Sequence, residues 1–254
     1  MKAIWKGAIG FGLVNIPVKL YSASQSSDLD LDMLDKKDLA HIRFHRVNED
    51  TGKEVDWKNI VKAYKYNGDY VVLDDKDFQQ ASPDKTKIIN IDHFIAEEEV
   101  ESLYFETPYY LEPEKSGEKA YLLLHEALEK SGKAGVGSFV LRSKEHLCIL
   151  KPYEKVILLN KIRFAEEIRD TSAIKVPKAT KVKPTELKMA LSLIDQLTTK
   201  FKIDSFKDTY ASELLKLIKA KAKGKPVKQA PMKVTHRKTE DLMSMLKASI
   251  KKAS

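Results

Sequence analysis

A single cysteine, Cys148, stands in 254 residues. One thiol can close no intramolecular disulfide and build no cysteine-based zinc cluster, so the fold must be held by burial, as expected in a reducing, cytoplasmic compartment. Glycine and proline are also sparse, at 10 and 9 residues, and this excludes a collagen-like or low-complexity chain. No stretch approaches the roughly 20 apolar residues of a membrane span. The nearest imitation of a secretory leader, Gly7 to Ile16 behind Lys2 and Lys6, is broken by Asn15, Pro17 and Lys19 and weakened as a helix by its glycines, so export is not expected.

Chemical motifs are equally scarce. Gly10-Phe11-Gly12-Leu13-Val14-Asn15 lacks the third glycine of a dinucleotide loop, and no GxxxxGK[ST] phosphate cradle exists. His125 is followed by Glu126, but Glu129 stands where a zinc metalloprotease needs its second histidine, and His41 and His45 lie in an extended-looking stretch. Asp28, Asp30 and Asp32 imitate a calcium loop, yet Met33 replaces its glycine and Leu39 its bidentate glutamate. Cys148, between apolar neighbours on an expected strand, reads as a core residue. No metal, cofactor or reaction is therefore expected, although scattered carboxylates leave a metal-dependent DNA-processing enzyme as a competing reading.

What is present is an ordinary core and an uneven charge. Hydrophobic residues make up 43% of the chain and charged ones 32%, the composition of a globular protein. The net charge of +8 is not spread evenly: residues 1–170 hold 25 basic and 30 acidic side chains, whereas residues 171–254 hold 20 basic and 7 acidic. A near-neutral body with a cationic tail points to a polyanionic partner. Nothing resembles a helix-turn-helix or zinc-finger reader, so any binding to nucleic acid should rest on phosphate contacts and be independent of base sequence.

Residues 3–20 alternate like a strand and then change phase after Leu13, which predicts a bulge or bend. Short β-type runs recur at Tyr70–Leu73, Ile88–Ile91, Tyr104–Phe105, Tyr109–Leu111, Val136–Leu141, Leu147–Leu150 and Val156–Leu159, a pattern that favours a barrel or sandwich. One helix is predicted among them, Gly117 to Lys130, with Ala120, Tyr121, Leu124, Ala127 and Leu128 on one face. Beyond residue 170 the period becomes helical. Leu187, Ala190, Leu191, Ile194, Leu197 and Phe201 form one stripe, and Tyr210, Leu214, Leu217 and Ile218 a second, with Ser205 and Asp208 spaced as a capping box. Residues 223–238 carry six basic and no acidic side chains, two prolines and a glycine, as a flexible cationic linker would. A last amphipathic helix is predicted over Thr239 to Ile250, with Leu242, Met245, Leu246 and Ile250 on one face, free to dock on its own body or on a partner protein.

Taken in order, AIWKGAIGFGLVNIPVKLYSA, GKEVDWKNIVKAYKYNGDYVVLDDKDF, YFETPYYLEPEKSGEKAYLLLHEAL, GSFVLRSKEHLCILKP and RFAEEIRD resemble the blocks of prokaryotic Ku, the DNA-end-binding family of bacterial non-homologous end joining. The later segments ELKMALSLIDQLTTKFKIDSFKDTYASELLKLIKAKAKGK and DLMSMLKASIKK are similar to that family's C-terminal helices and tail. Two departures stand out: Lys202-Ile203 where Asp-Pro is usual, and Ala211-Ser212 where Arg-Glu usually follows the tyrosine. The resemblance implies a mixed α/β, β-dominated fold: a Ku-type β-barrel core whose extended insertion forms half of a DNA-encircling ring in a homodimer, followed by C-terminal helices and a basic tail. It implies barrel and insertion over residues 1–184, helices over 185–222 and the tail over 223–254. It also implies binding to double-stranded DNA ends, recruitment of DNA ligase D, no reaction of its own, and a place on the bacterial nucleoid.

On that reading Arg43, Arg46, Lys53, Lys58, Lys62 and Lys65 of the insertion and Arg142 and Lys144 of a barrel hairpin are the candidates for lining the DNA channel. Lys221, Lys223, Lys225, Lys228, Lys233, Arg237 and Lys238 would add non-specific DNA affinity, and Leu242, Met245, Leu246 and Ile250 a protein contact. A basic architectural or RNA-binding protein without end preference is the alternative.

Overall fold

The computed structural model describes residues 1–81, 87–176, 182–224 and 242–253. The chain divides into two compact units, residues 1–26 with 31–169, and residues 27–30 with 170–254.

The first unit is built on β1 (Trp5–Phe11), β2 (Val14–Ser22), β3 (Lys62–Tyr66), β4 (Asp69–Leu73), β5 (Ile88–Ala96), β6 (Phe105–Pro113), β7 (Lys133–Leu141), β8 (Lys144–Tyr153) and β9 (Val156–Ile162). Seven of these close into a barrel in the order β1-β2-β6-β9-β8-β7-β5, and β3 and β4 form a separate two-stranded ribbon. Closure is made by a short parallel pairing of β1 with β5, Ala8 opposite Ile88. The other barrel pairings are antiparallel. The phase change after Leu13 is a hairpin turn between two strands rather than a bend within one: Phe11 pairs with Val14, and Gly12 takes a left-handed φ of 56° that glycine adopts without steric cost. The run expected at Tyr104–Phe105 divides: Tyr104 ends a 3-10 turn, and Phe105 opens the strand β6, which includes Tyr109–Leu111 and slips in register between Phe105 and Pro108.

Alternation directs one side chain in two into the barrel. Ile9, Ile16, Val18, Leu20, Ile89, Leu111, Leu150, Ile157 and Leu159 are fully buried there, with Cys148 among them. Burial pushes the Cys148 thiol well above its ordinary range, so it is a core side chain and not a nucleophile. Gly137 is required by close approach: a Cβ there would stand 1.8 Å from the Asn90 carbonyl oxygen, beside the register slip in β5.

Among the described residues this unit has two α-helices, α1 (Asp75–Ala81), which carries no strong apolar stripe, and α2 (Glu118–Ser131). The latter buries Tyr121, Leu124 and Leu128, as its spacing predicts, and ends on Gly132 in the left-handed conformation. The Tyr121 hydroxyl donates to the Leu111 carbonyl at 2.6 Å and accepts from the Ile157 amide at 2.6 Å. These bonds fix α2 to the barrel at the level of Leu111 and Ile157.

The second unit contains α3 (Pro184–Leu197), α4 (Thr209–Ala222) and α5 (Leu242–Ala253). The expected stripe of α3 stops short of Phe201, because Thr198 leaves the helical conformation while its hydroxyl donates to the Ile194 carbonyl at 2.7 Å. Phe201 instead lies 5.9 Å from the ring of Phe206. The expected Ser205–Asp208 capping box is also replaced. Asp208 itself is the N-cap of α4, accepting from the Ala211 amide at 3.0 Å and from the Ser27 hydroxyl at 3.4 Å, and Ser205 closes a separate 3-10 turn. Helix α5 packs against α3. No helix among the described residues is long and apolar enough to cross a membrane.

Candidate nucleic-acid interface

Between β2 and β5 the chain leaves the barrel for a long excursion. Its first part has only two isolated bridges, Leu34 with His41 and Val47 with Glu54, before the β3–β4 ribbon turns at Asn67-Gly68. That turn has φ of 50° and 102°, the geometry that matches the twist of a two-residue hairpin. Arg43, Arg46, Lys53, Lys58, Lys62 and Lys65 are all exposed on this excursion.

Several of these cations rest against aromatic rings, which limits their wandering while leaving the charge in solvent. The Arg46 guanidinium lies 4.6 Å from the Trp57 ring centre, Lys62 5.0 Å from Phe78, and Lys65 5.9 Å from Tyr70. Lys58 reaches Asp56 at 3.5 Å. Neither Arg43 nor Lys53 makes a side-chain ion pair among the described residues. His45 Nδ1 is 2.7 Å from Glu54, which pins the strip across its second bridge.

Arg142 and Lys144 sit elsewhere, at the β7–β8 turn, and the structure joins them to two residues that sequence reasoning missed. Arg142, Lys144, His146 and Lys161 line one cavity of about 410 Å³ with Ile4, Tyr109 and Leu141. Stepping by two along β8 from buried Leu150 and Cys148 gives His146 and Lys144, and stepping along β9 from buried Ile157 and Leu159 gives Lys161. The inward-facing rows thus turn from apolar to cationic at this end of the barrel. Strand parity was the signal that could have found them; their convergence depends on pairing.

Lys161 is held by Glu106 at 2.9 Å, which keeps the Glu106 carboxyl below the usual carboxylate range. Burial, and then the positive charges of Lys161 and Lys144, hold the His146 imidazole below its ordinary value of 6.5. Arg163, by contrast, is committed to structure, donating to the carbonyls of Leu103 and Phe105.

In the second unit Lys221 and Lys223 are exposed at the end of α4. Lys225, Lys228, Lys233, Arg237 and Lys238 lie outside the described residues, as do Thr239, Glu240 and Asp241. Leu242 opens α5, its side chain outside the described set, while Met245, Leu246 and Ile250 are half-buried. No group of three His, Cys, Asp or Glu side chains among the described residues is placed to hold a metal ion.

A closed seven-stranded barrel with a long excursion between β2 and β5, in which basic side chains are interspersed with acidic ones, defines the class of scaffold to which this chain belongs. Residues 10–189 match the family model for the Ku70/Ku80 beta-barrel domain. The chain is 40% identical to the non-homologous end joining protein Ku of Coxiella burnetii over 98% of its own length and 94% of that protein's. It is 39% identical to the protein of the same name from Bacillus subtilis, over 98% of this chain and 82% of the relative, and 38% identical to that of Archaeoglobus fulgidus, over 89% and 90%. The chain belongs to the Ku family.

Proposed function

We propose that the protein acts in non-homologous end joining by binding double-stranded DNA ends, independently of base sequence, as a homodimeric ring, and that it recruits DNA ligase D without catalysing a reaction itself. The observation that carries this reading is the excursion between β2 and β5, exposed along nearly all of its described residues and bearing Arg43, Arg46, Lys53, Lys58, Lys62 and Lys65 out from a closed barrel. Such a strip can neutralise phosphates by counterion release and reads no bases. Two copies joined into a ring would add topology to that chemistry, since a closed ring can load only where a duplex ends. The exposed apolar residues Leu187, Leu191 and Ile194 of α3 support a contact between copies.

The deciding experiment is competition for labelled linear duplex by unlabelled linear DNA and by covalently closed circles of equal length. Strong competition by linear DNA alone is expected. Equal competition by circles would instead favour a basic architectural protein. For the tail, Leu242→Asp with Leu246→Asp should spare duplex binding and reduce ligase recruitment, because an apolar face cannot bury two carboxylates without partners. Normal recruitment by that variant would place the ligase contact elsewhere.

A further inference from the structure

The end of the barrel marked by Ile4, Leu141 and Lys161 is built unlike the end that α2 covers. Small barrels fill their inward positions with apolar side chains, and this one does so from Leu150 to Cys148 and from Ile157 to Leu159. At the next inward step on each strand stand His146 and Lys161, and Lys144 follows His146. Lys161 has only 17% of its side chain exposed. Placing an ammonium and an imidazole there costs desolvation that an apolar pair would avoid, and Glu106, the acid beside them among the described residues, is already matched to Lys161. Arg142 and Lys144 line the same opening and make no ion pair among the described residues.

The turn that carries Arg142 is also strained. Leu141 pairs with Lys144, leaving Arg142-Ser143 as a two-residue connection with φ of 54° and 65°. Asn-Gly ordinarily occupies this geometry, as at Asn67-Gly68; two non-glycine residues there are sterically disfavoured. The surroundings hold the turn in place. Trp5 donates its indole N–H to the Val140 carbonyl at 3.1 Å and packs edge-on against Phe139 at 6.4 Å, and Phe139 in turn backs the His146 ring at 5.8 Å. Strain held by a rigid frame is characteristic of positions that must present a side chain in one place.

We propose that this barrel mouth is a phosphate-binding pocket, in which Arg142 and Lys144 clamp the oxyanion from the turn while His146 and Lys161 close it from the barrel interior. The source assigned to the phosphate is the duplex backbone, and only that assignment rests on the DNA-binding function proposed above. Free phosphate offers the same chemistry. The groups that face His146 are Lys144 on its own strand, Lys161 from β9 and Glu106 from β6, with the Leu141 backbone beside it. An oxyanion added among them favours the imidazolium, so the pocket takes up a proton as it fills and His146 reports its occupancy.

The test follows the His146 ring signal by NMR across pH in the full-length protein, assigned with His146→Gln. Separate arms contain sodium chloride, inorganic phosphate at matched ionic strength, and a blunt duplex whose binding is verified by anisotropy. Phosphate, and duplex more strongly, are expected to raise the ring's titration midpoint by about one pH unit, while chloride leaves it in place. Arg142→Gln with Lys144→Gln should abolish the rise with no change in the melting curve. A midpoint unmoved by phosphate and by bound duplex overturns the pocket. A response to inorganic phosphate without one to bound duplex upholds the pocket and overturns the assignment to DNA. A protein that binds circles as well as linear duplex, with the His146 response intact, defeats the ring reading and leaves this site standing.

Discussion

Helices α2, α3 and α4 are each 14 residues long and each carries an apolar stripe at helical spacing, yet α2 buries Tyr121, Leu124 and Leu128 while α3 and α4 bury nothing. The local patterns are equivalent; their fates differ because the barrel offers α2 a complementary surface. Leu187, Leu191, Ile194 and Leu197 on α3 remain more than half exposed although α5 packs on that helix. A helix gains most of its stability from the face it buries, so α2 is stabilised by the barrel while the stripes of α3 and α4 are left largely uncovered.

The sharpest way to break this contrast is to truncate one apolar residue on each side of it. Phe139→Ala, which removes a core ring 2% exposed, should cost about 3–5 kcal/mol in denaturant unfolding. Ile194→Ala on α3 should cost well under 1 kcal/mol in dilute protein, where no partner covers it, and should weaken self-association measured by sedimentation. A large monomer penalty for Ile194→Ala would mean that α3 is already covered within one chain.

A smaller effect is expected from the charges of the excursion. Arg43→Glu, Arg46→Glu and Lys62→Glu together should lower duplex affinity for every sequence tested and flatten the dependence of log affinity on log salt by about 0.9 for each phosphate that is no longer neutralised. An unchanged slope would remove these side chains from the DNA path. Melting temperature should hardly move, since all three are exposed.

The smallest effect concerns His146. Its folded pKa lies below 6.5, so the unfolded chain takes up a proton first as pH falls, and the contribution to stability present above 6.5 is lost as pH drops through the folded value. His146→Gln should therefore flatten the fall in melting temperature below pH 6.5, as checked by scans at stepped pH. Cys148, by comparison, should resist thiol reagents in the native protein at neutral pH and react on unfolding.

The stretches read as strands were mostly legible because alternation is local: Tyr70–Leu73, Val136–Leu141, Leu147–Leu150 and Val156–Leu159 all lie within observed strands. β3 and α1 were not, because neither carries a buried side chain that would stamp a period on the sequence; β4, equally unburied, was legible from the Asn67-Gly68-Asp69 turn before it. The cations of the excursion were singled out by charge and by their place in an extended segment, and Arg142 and Lys144 by theirs on an expected hairpin; their role in binding is a proposal.

The sequence by itself determined the β-rich body, the amphipathic helices that follow it, the cationic last third and the core role of Cys148, since each is a matter of composition or short-range period. Tertiary structure alone decided that β1 closes the barrel against β5, that α2 finds a burying surface while α3 does not, and that His146 and Lys161 meet Arg142 and Lys144 at one mouth. The reason is physical: alternation tells which side of a strand a residue faces, but only cross-strand register tells which distant residue it faces there.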